Sequence, residues 1–475
     1  MKETSRFYSS LILLIVLNGV IKPFWIFGID RQVQNEVGVT AYGSYFAIFN
    51  LSIVLGFLHD CGLTAFYNRQ LAARNYELTG NPGNFLLLKF LLALSYMAVV
   101  FFIAFISGID RWDIVFYVAM TQVLASQFVF FRAIITAQQW FHTDAWLSVL
   151  DKLLMIVVCF PFLYIPSWLG GMSIERFLVL QMICTAIAML ITCLLLLAKG
   201  FHFSFKSLWP DKRVLKAALP FAIIILLMSF HYRLDGFLLE RLSSAAEAGK
   251  YAGAYRLLDA ANMIGYLLTS FLLPYIARHH SDGNMMTGVI LNVRHILVVF
   301  SLSISSIVIF MAPWIQKTLY HHNDASYVEV MQWCIPALIF YSLLQIYGSV
   351  MTATGKINAF ILITFISVVI NITVNLFLIP TLGAKGSCIA AICSQAFCGL
   401  TSMWYCRQKL QVPLDVRSWI IYILAGGLVA GFLYLSSYLT INRLVVMLVA
   451  GMIALILLWL TKLINLKNWK QYING

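Results

Sequence analysis

Residues 85–108 read FLLLKFLLALSYMAVVFFIAFISG. Lys89 is their single charge. As a helix rising about 1.5 Å per residue, this run is long enough to cross a hydrocarbon layer about 30 Å thick. The same text recurs on both sides of it. Apolar runs lie at 8–27, 42–64, 114–135, 145–165, 177–198, 217–238, 251–274, 294–315, 330–352, 357–379, 384–404, 418–438 and 444–464. Over 475 residues, 61% are hydrophobic and 11% charged. A soluble fold of this size has too little interior to hide so much apolar surface. Open strands in lipid would leave backbone N–H and C=O groups unpaired, so the runs are predicted to be helices. The expected fold is an all-α integral membrane protein with about 14 transmembrane helices.

Lys and Arg set the orientation. With a cytoplasmic N-terminus, the even-numbered gaps and both tails hold 21 of the 32 basic residues, and the opposite side holds 8. Lys89 and Arg294 count among the inner 21. Lys22, Arg233 and Arg256 fall in or at the ends of spans. The first run follows Lys2 and Arg6 but leads into KPFWIFGIDRQ without a small-residue cleavage site, so it is read as a retained helix. Fourteen crossings bring the C-terminus, with its basic LKNWKQ, back to the cytoplasm. The net charge of +13 is thus an orientation signal and a contact with anionic lipid headgroups. It is spread too thinly over loops for a nucleic-acid surface.

The longest basic link is residues 199–216, KGFHFSFKSLWPDKRVLK. Beyond it the pattern restarts. Asp30-Arg31 recurs as Glu240-Arg241, and Gly43-Ser44-Tyr45 as Gly253-Ala254-Tyr255, at one common offset. An even number of crossings separates the copies, which gives parallel repeats. The expected organisation is an N-terminal six-helix bundle at 1–198, the linker at 199–216, and a C-terminal six-helix bundle at 217–404. Two added helices and a basic tail fill 405–475. The two bundles would face each other across a central cavity.

Charges inside spans are costly and normally face protein or water. Lys22 precedes Pro23, which frees a carbonyl and bends a helix. Arg233 lies between His231 and Asp235, and Arg256 and Asp259 share a helix face. Lys22, Arg233 and Arg256 are predicted in the outer half of the membrane. They form the candidate site for an anionic headgroup, since Arg forks onto phosphate and Lys acts as a point charge. The competing reading is structural ion pairing and snorkelling. Arg31 and Arg241 are candidates for an outer rim or gate, against loop pairs with Asp30 and Glu240. Arg69 is a candidate for the inner entrance. Asp60, in His59-Asp60-Cys61-Gly62, is a candidate for ion coupling. It is equally suited to bond to His59, to cap a broken helix or to pair with Arg69. Asp144 and Asp151 read as structural partners for Lys152 and Arg132.

No CxxC joins the nine cysteines, and no metal site is expected. No GxxxxGK[ST] is present, so the chain carries no P-loop of its own. All loops are short, which excludes a large extramembrane catalytic domain but not an active site within the membrane.

The phrase NGVIKPFWIFGIDRQVQNEVGVTAYGSYFAIFNLS at 18–52, followed by GLTAFYNRQLA at 62–72, resembles bacterial polysaccharide-biosynthesis flippases of the Wzx type. These belong to the multidrug/oligosaccharidyl-lipid/polysaccharide exporter superfamily. The resemblance implies a MATE-like fold, no enzymatic activity, and location in the bacterial inner membrane. It implies translocation of undecaprenyl-pyrophosphate-linked oligosaccharide, as in O-antigen and lipopolysaccharide biosynthesis, from the cytoplasmic to the periplasmic leaflet. Implied partners are the lipid-linked oligosaccharide, membrane lipids, a polysaccharide polymerase and a chain-length regulator. No cofactor is implied beyond coupling to a proton or sodium gradient, with Asp60 and Asp259 as local candidates. Alternatives of the same fold are a lipid-linked peptidoglycan precursor flippase and a cation-coupled multidrug exporter. The exporter should carry unpaired carboxylates, whereas cations are at least as prominent here.

Overall fold

The computed structural model describes residues 2–72, 82–165, 170–203, 212–279, 283–321, 324–438 and 441–461. Those residues are helical throughout, apart from turns and short links. Thirteen helical stretches among them are long and apolar enough to cross a membrane. The remaining expected span, 251–274, lies within one further helix, Ala245–His279. Its mean hydropathy is lowered by Lys250, Arg256 and Asp259. The middle of the 199–216 linker and the tail beyond 461 lie outside the described residues.

Contacts divide the chain into two compact units, 1–249 and 250–475. In the first, α1 (Lys2–Phe24) passes through a π-helical turn at Trp25–Asp30 into α2 (Arg31–Val37). Arg31, expected in a loop, therefore opens a helical extension. Then come α3 (Val39–Val54), a 3-10 turn at Leu55–His59, α4 (Leu63–Ala72), α5 (Pro82–Ile106), α6 (Trp112–Ala137), α7 (Phe141–Tyr164), α8 (Ile174–Ala198) and α9 (Lys212–Leu242). Helix α1 packs on α7, α8 on α6 and α9 on α3. So α9, the first span after the linker, packs within the first unit.

A further close approach brings α3 against residues 245–249. A Cβ on Gly43 would stand 1.8 Å from the Ala245 carbonyl oxygen, and one on Gly249 2.0 Å from that of Val39. Gln34 Nε2 donates to the Gly249 carbonyl at 2.8 Å. Only glycine permits backbones this near. Gly43→Ala or Gly249→Ala is expected to force these segments apart and cost about 1–3 kcal/mol. Thermal unfolding of the purified protein checks this. Gly19→Ala is the control: a Cβ there meets nothing within 4 Å, and alanine suits a helix interior better than glycine.

The second unit holds most of α10 (Ala245–His279) and then α11 (Gly283–Leu319), α12 (Ala325–Cys334), α13 (Ala337–Ala353), α14 (Ile357–Leu382), α15 (Ala384–Leu410), α16 (Val416–Ser437) and α17 (Arg443–Leu460). The single span expected at 330–352 is divided between α12 and α13 at Ile335-Pro336, where proline cannot donate to the helical ladder. Helix α15 packs between α13 and α14 along the small, buried residues Gly386, Ala390, Ser394, Cys398 and Ser402. All nine cysteines are free thiols, and most are buried. Outward faces carry exposed Phe90, Leu94, Phe102 and Phe105 on α5, and Leu448, Leu455 and Trp459 on α17. Apolar rows of this extent suit contact with lipid.

Helices α16 and α17 pack on α11. Arg294 of α11 is 0% exposed. Its guanidinium donates at 3.3 Å to the Tyr422 and Tyr347 hydroxyls and to the Pro413 carbonyl, and it lies 6.0 Å from the Trp419 ring. This cation is held by hydroxyls, a carbonyl and an aromatic face. Arg294→Leu is expected to leave those acceptors unsatisfied and cost on the order of 2 kcal/mol. Faster proteolysis around 411–415 than in wild type is the check.

Candidate functional site

Pro23 has no N–H to return to the helix, and α1 widens into the π turn directly after it. Lys22 is half-buried at this point. Asn18 Nδ2 donates to Ser148 Oγ at 2.8 Å, holding α1 on α7. The charges acting on Lys22 are Asp151, Lys152 and Arg132. Each of these three already has a partner. Arg132 forks onto Asp144 with bonds of 2.8 and 3.1 Å, the two-point geometry of guanidinium on carboxylate. Asp151 pairs with Lys152 at 3.1 Å, and Lys152 also lies 5.2 Å from the Trp25 ring. Asp144 and Asp151 thus serve as the structural partners expected. Lys22 forms no ion pair among the described residues.

The run expected as one span at 42–64 breaks near its end. After the 3-10 turn, Cys61 and Gly62 adopt φ of +46° and +73°. Glycine takes the second readily, while cysteine at the first is strained. Asp60 caps the restart: the Thr64 N–H donates to its Oδ2 at 3.3 Å. Asp60 also holds the ammonium of Lys89. Lys89 is 0% exposed and donates further to Ser126 Oγ at 2.9 Å and Thr64 Oγ1 at 3.1 Å. Asp60, the sequence candidate for ion coupling, therefore already has a cation of the chain's own.

The other candidates are spread over both units. Arg233 is half-buried on α9 in the first unit, and Arg256 is 6% exposed on α10 in the second. Asp259 is half-buried on α10. Arg233, Asp235, Arg256 and Asp259 all engage neighbouring groups. Near Arg233, α9 comes close to α3 through Gly236, whose Cβ would meet Asn50 Nδ2 at 2.6 Å. Arg31 donates to Gln32 Oε1 at 3.2 Å, and Asp30 accepts from the Tyr42 hydroxyl at 2.9 Å. Arg241 forks onto Glu240, the loop pair weighed from sequence. It also donates to the Ser107 carbonyl, tying the end of α9 to the turn after α5. Arg69 is exposed on α4 and forms no ion pair among the described residues.

Two buried cations, Lys89 and Arg294, carry more structure than their role in the orientation count suggested. The signal for Lys89 was in the sequence, as the one charge in the run 85–108. Arg294 gave no comparable signal, because it begins its expected span.

The fold is that of known transporters. A structure described as lipid II flippase MurJ in an inward closed conformation matches with a TM-score of 0.74 at 13% identity, covering 93% of this chain and 98% of that one. An inward-facing multidrug resistance MATE family transporter of the MOP superfamily matches at 0.63 and 14% identity, covering 84% and 98%. A MOP superfamily transporter from Pyrococcus furiosus, described as having a binding pocket of reverse polarity, matches at 0.61 and 14%, covering 86% and 96%. No curated protein matches by sequence. The model of the family described as "Polysaccharide biosynthesis protein" matches residues 12–280. That match takes in Lys22, the broken second span and its Asp60–Lys89 pair, and both Arg233 and Arg256, so the chain belongs to the polysaccharide biosynthesis protein family.

Proposed function

We propose that the protein is a flippase. It moves undecaprenyl-pyrophosphate-linked oligosaccharide repeat units from the cytoplasmic to the periplasmic leaflet of the bacterial inner membrane by alternating access. Both termini face the cytoplasm in this reading. The observation that carries it is Lys22, an ammonium inside a span on which Asp151, Lys152 and Arg132 act, with Asp151 paired to Lys152 and Arg132 to Asp144. A local surplus of positive charge suits an anion. Pyrophosphate is the part of such a substrate that lipid will not accept unaided. Lys22, Arg233 and Arg256 would offset its lost hydration through charge-assisted hydrogen bonds. The sugars would travel in water and the isoprenoid tail in lipid. No covalent bond is broken, which fits a carrier rather than an enzyme.

Arg31 and Arg241 would act at the outer rim, and Arg69 would attract phosphate at the inner entrance. Transport would draw on a proton or sodium gradient, with Asp259 the acidic candidate, since Asp60 already holds the Lys89 ammonium. A polysaccharide polymerase and a chain-length regulator would take up the product, as in O-antigen and lipopolysaccharide assembly. A second reading, a lipid-linked peptidoglycan precursor flippase, is favoured by the likeness to MurJ, and its headgroup has the same charge.

Reconstitution in liposomes tests both. Labelled lipid-linked oligosaccharide is expected to reach the opposite leaflet only in vesicles that contain the protein. Transport of lipid II with no transport of the oligosaccharide would select the second reading. Efflux of a lipophilic cation with neither lipid moved would make the protein a multidrug exporter instead.

A further inference from the structure

The first unit contains an oxygen-lined pocket for a single positive charge. Its walls come from three separate elements. Asp60 stands at the break after the 3-10 turn, Thr64 lies in the first turn of α4, and Ser126 lies on α6. The three donors of one ammonium, Lys89 Nζ on α5, meet three oxygens: an Asp60 carboxylate oxygen, Thr64 Oγ1 at 3.1 Å and Ser126 Oγ at 2.9 Å. The Phe130 ring lies 5.5 Å from the ammonium. Phe130 belongs to an apolar core cluster that also holds the buried Leu63, Phe66, Phe85 and Leu88. His59 turns to the Tyr96 ring at 4.8 Å instead of to Asp60. The Cys61 thiol donates to the Leu58 carbonyl at 3.6 Å.

One carboxylate and two hydroxyls converging on a buried point are also the ligands a small alkali cation takes. We propose that Asp60, Thr64 and Ser126 form a monovalent-cation pocket whose resident cation is the ammonium of Lys89. The protein carries this ion on its own chain. The pocket joins the two pieces of the broken span, and it does so without drawing on external sodium. Free sodium does not enter at Asp60 while Lys89 is in place. Any gradient coupling then runs through another group, a consequence that holds whichever lipid is the substrate.

Removing the tethered charge should expose the pocket to solution ions. The full chain, purified in detergent, is compared in sodium, lithium, potassium and choline chloride at equal ionic strength. Wild type is expected to unfold at one temperature in all four. Lys89→Ala frees the ammonium's space and leaves Asp60 uncompensated. Its unfolding temperature is expected to be about 5 °C higher in sodium or lithium than in choline. Lys89→Ser, smaller in cavity cost, should behave alike. The double variant Asp60→Asn/Lys89→Ala should lose the difference. Equal stability of the single variants in all four salts would overturn the proposal, as would failure of both to fold in any of them. Sodium dependence in wild type that Asp60→Asn removes would also overturn it.

Discussion

Asp60→Ala is expected to destabilise the protein by about 3–5 kcal/mol, more than any other single substitution at the broken span. The size follows from what is left behind. Lys89 remains fully enclosed, with two neutral hydroxyls as its polar neighbours. A buried ammonium without a counter-charge either strains the fold or gives up its proton. Loss of the cap on Thr64 adds about 1 kcal/mol within that range. The diagnostic variant is Asp60→Asn/Lys89→Met. It keeps an acceptor for the cap, fills the lysine's volume and removes both charges. Replacing a buried pair by neutral groups of similar size is often tolerated where breaking it is not. The double variant should therefore recover most of the stability lost by Asp60→Ala, a coupling between neighbours that simple addition does not give. Chemical denaturation in detergent micelles measures it. Wild-type stability in Asp60→Ala would show that the ammonium has no need of the carboxylate.

The same pair shows what the sequence made legible. Fourteen apolar runs announced the helices, because span length and composition are properties of a single segment. Even the run at 251–274, diluted by Arg256 and Asp259, lies within the helix Ala245–His279. The proline after Lys22 announced a local change of geometry, and a π turn follows it. Orientation counting, by contrast, assigns each basic residue to its nearest loop. It placed Lys89 with the inner charges and said nothing of Asp60, which stands at the break between two other helical segments and meets it only after packing. Arg294 was equally opaque, since its acceptors Tyr347, Pro413 and Tyr422 come from distant parts of the sequence. The repeated Gly-x-Tyr phrase marks close contacts in both copies. Gly43 meets the backbone of Ala245, and Gly253 meets the Tyr320 ring, whose hydroxyl donates to the Gly253 carbonyl at 2.8 Å. The phrase suggested a repeat, but not which surface each glycine would touch. Nor did the linker at 199–216 reveal that α9 would pack on α3, because packing partners are chosen by shape across the bundle.

Removing any one of Lys22, Arg233 or Arg256 as alanine is expected to lower oligosaccharide flipping about 10- to 100-fold while the protein stays folded. A hydrogen bond to a charged group contributes about 1.5–3 kcal/mol, and each 1.36 kcal/mol is about tenfold in rate. The three should differ in how they answer conservative replacement. Arg233→Lys and Arg256→Lys keep the charge and lose the fork, so they should recover only part of the rate. Lys22→Arg should recover more, since a point charge there is replaced by another fixed cation. A general fall in positive charge would also weaken attraction to an anionic lipid. Lys385→Ala separates that effect from a site. Lys385 pairs with Glu329 at the exposed surface, and its loss changes net charge as much as the loss of Lys22 does. Flipping should be retained in Lys385→Ala and lost in Lys22→Ala, with unfolding temperatures of both near wild type. If all three variants transported as well as Lys385→Ala, the cations on α1, α9 and α10 would be structural. The anion would then have to be carried elsewhere in the fold.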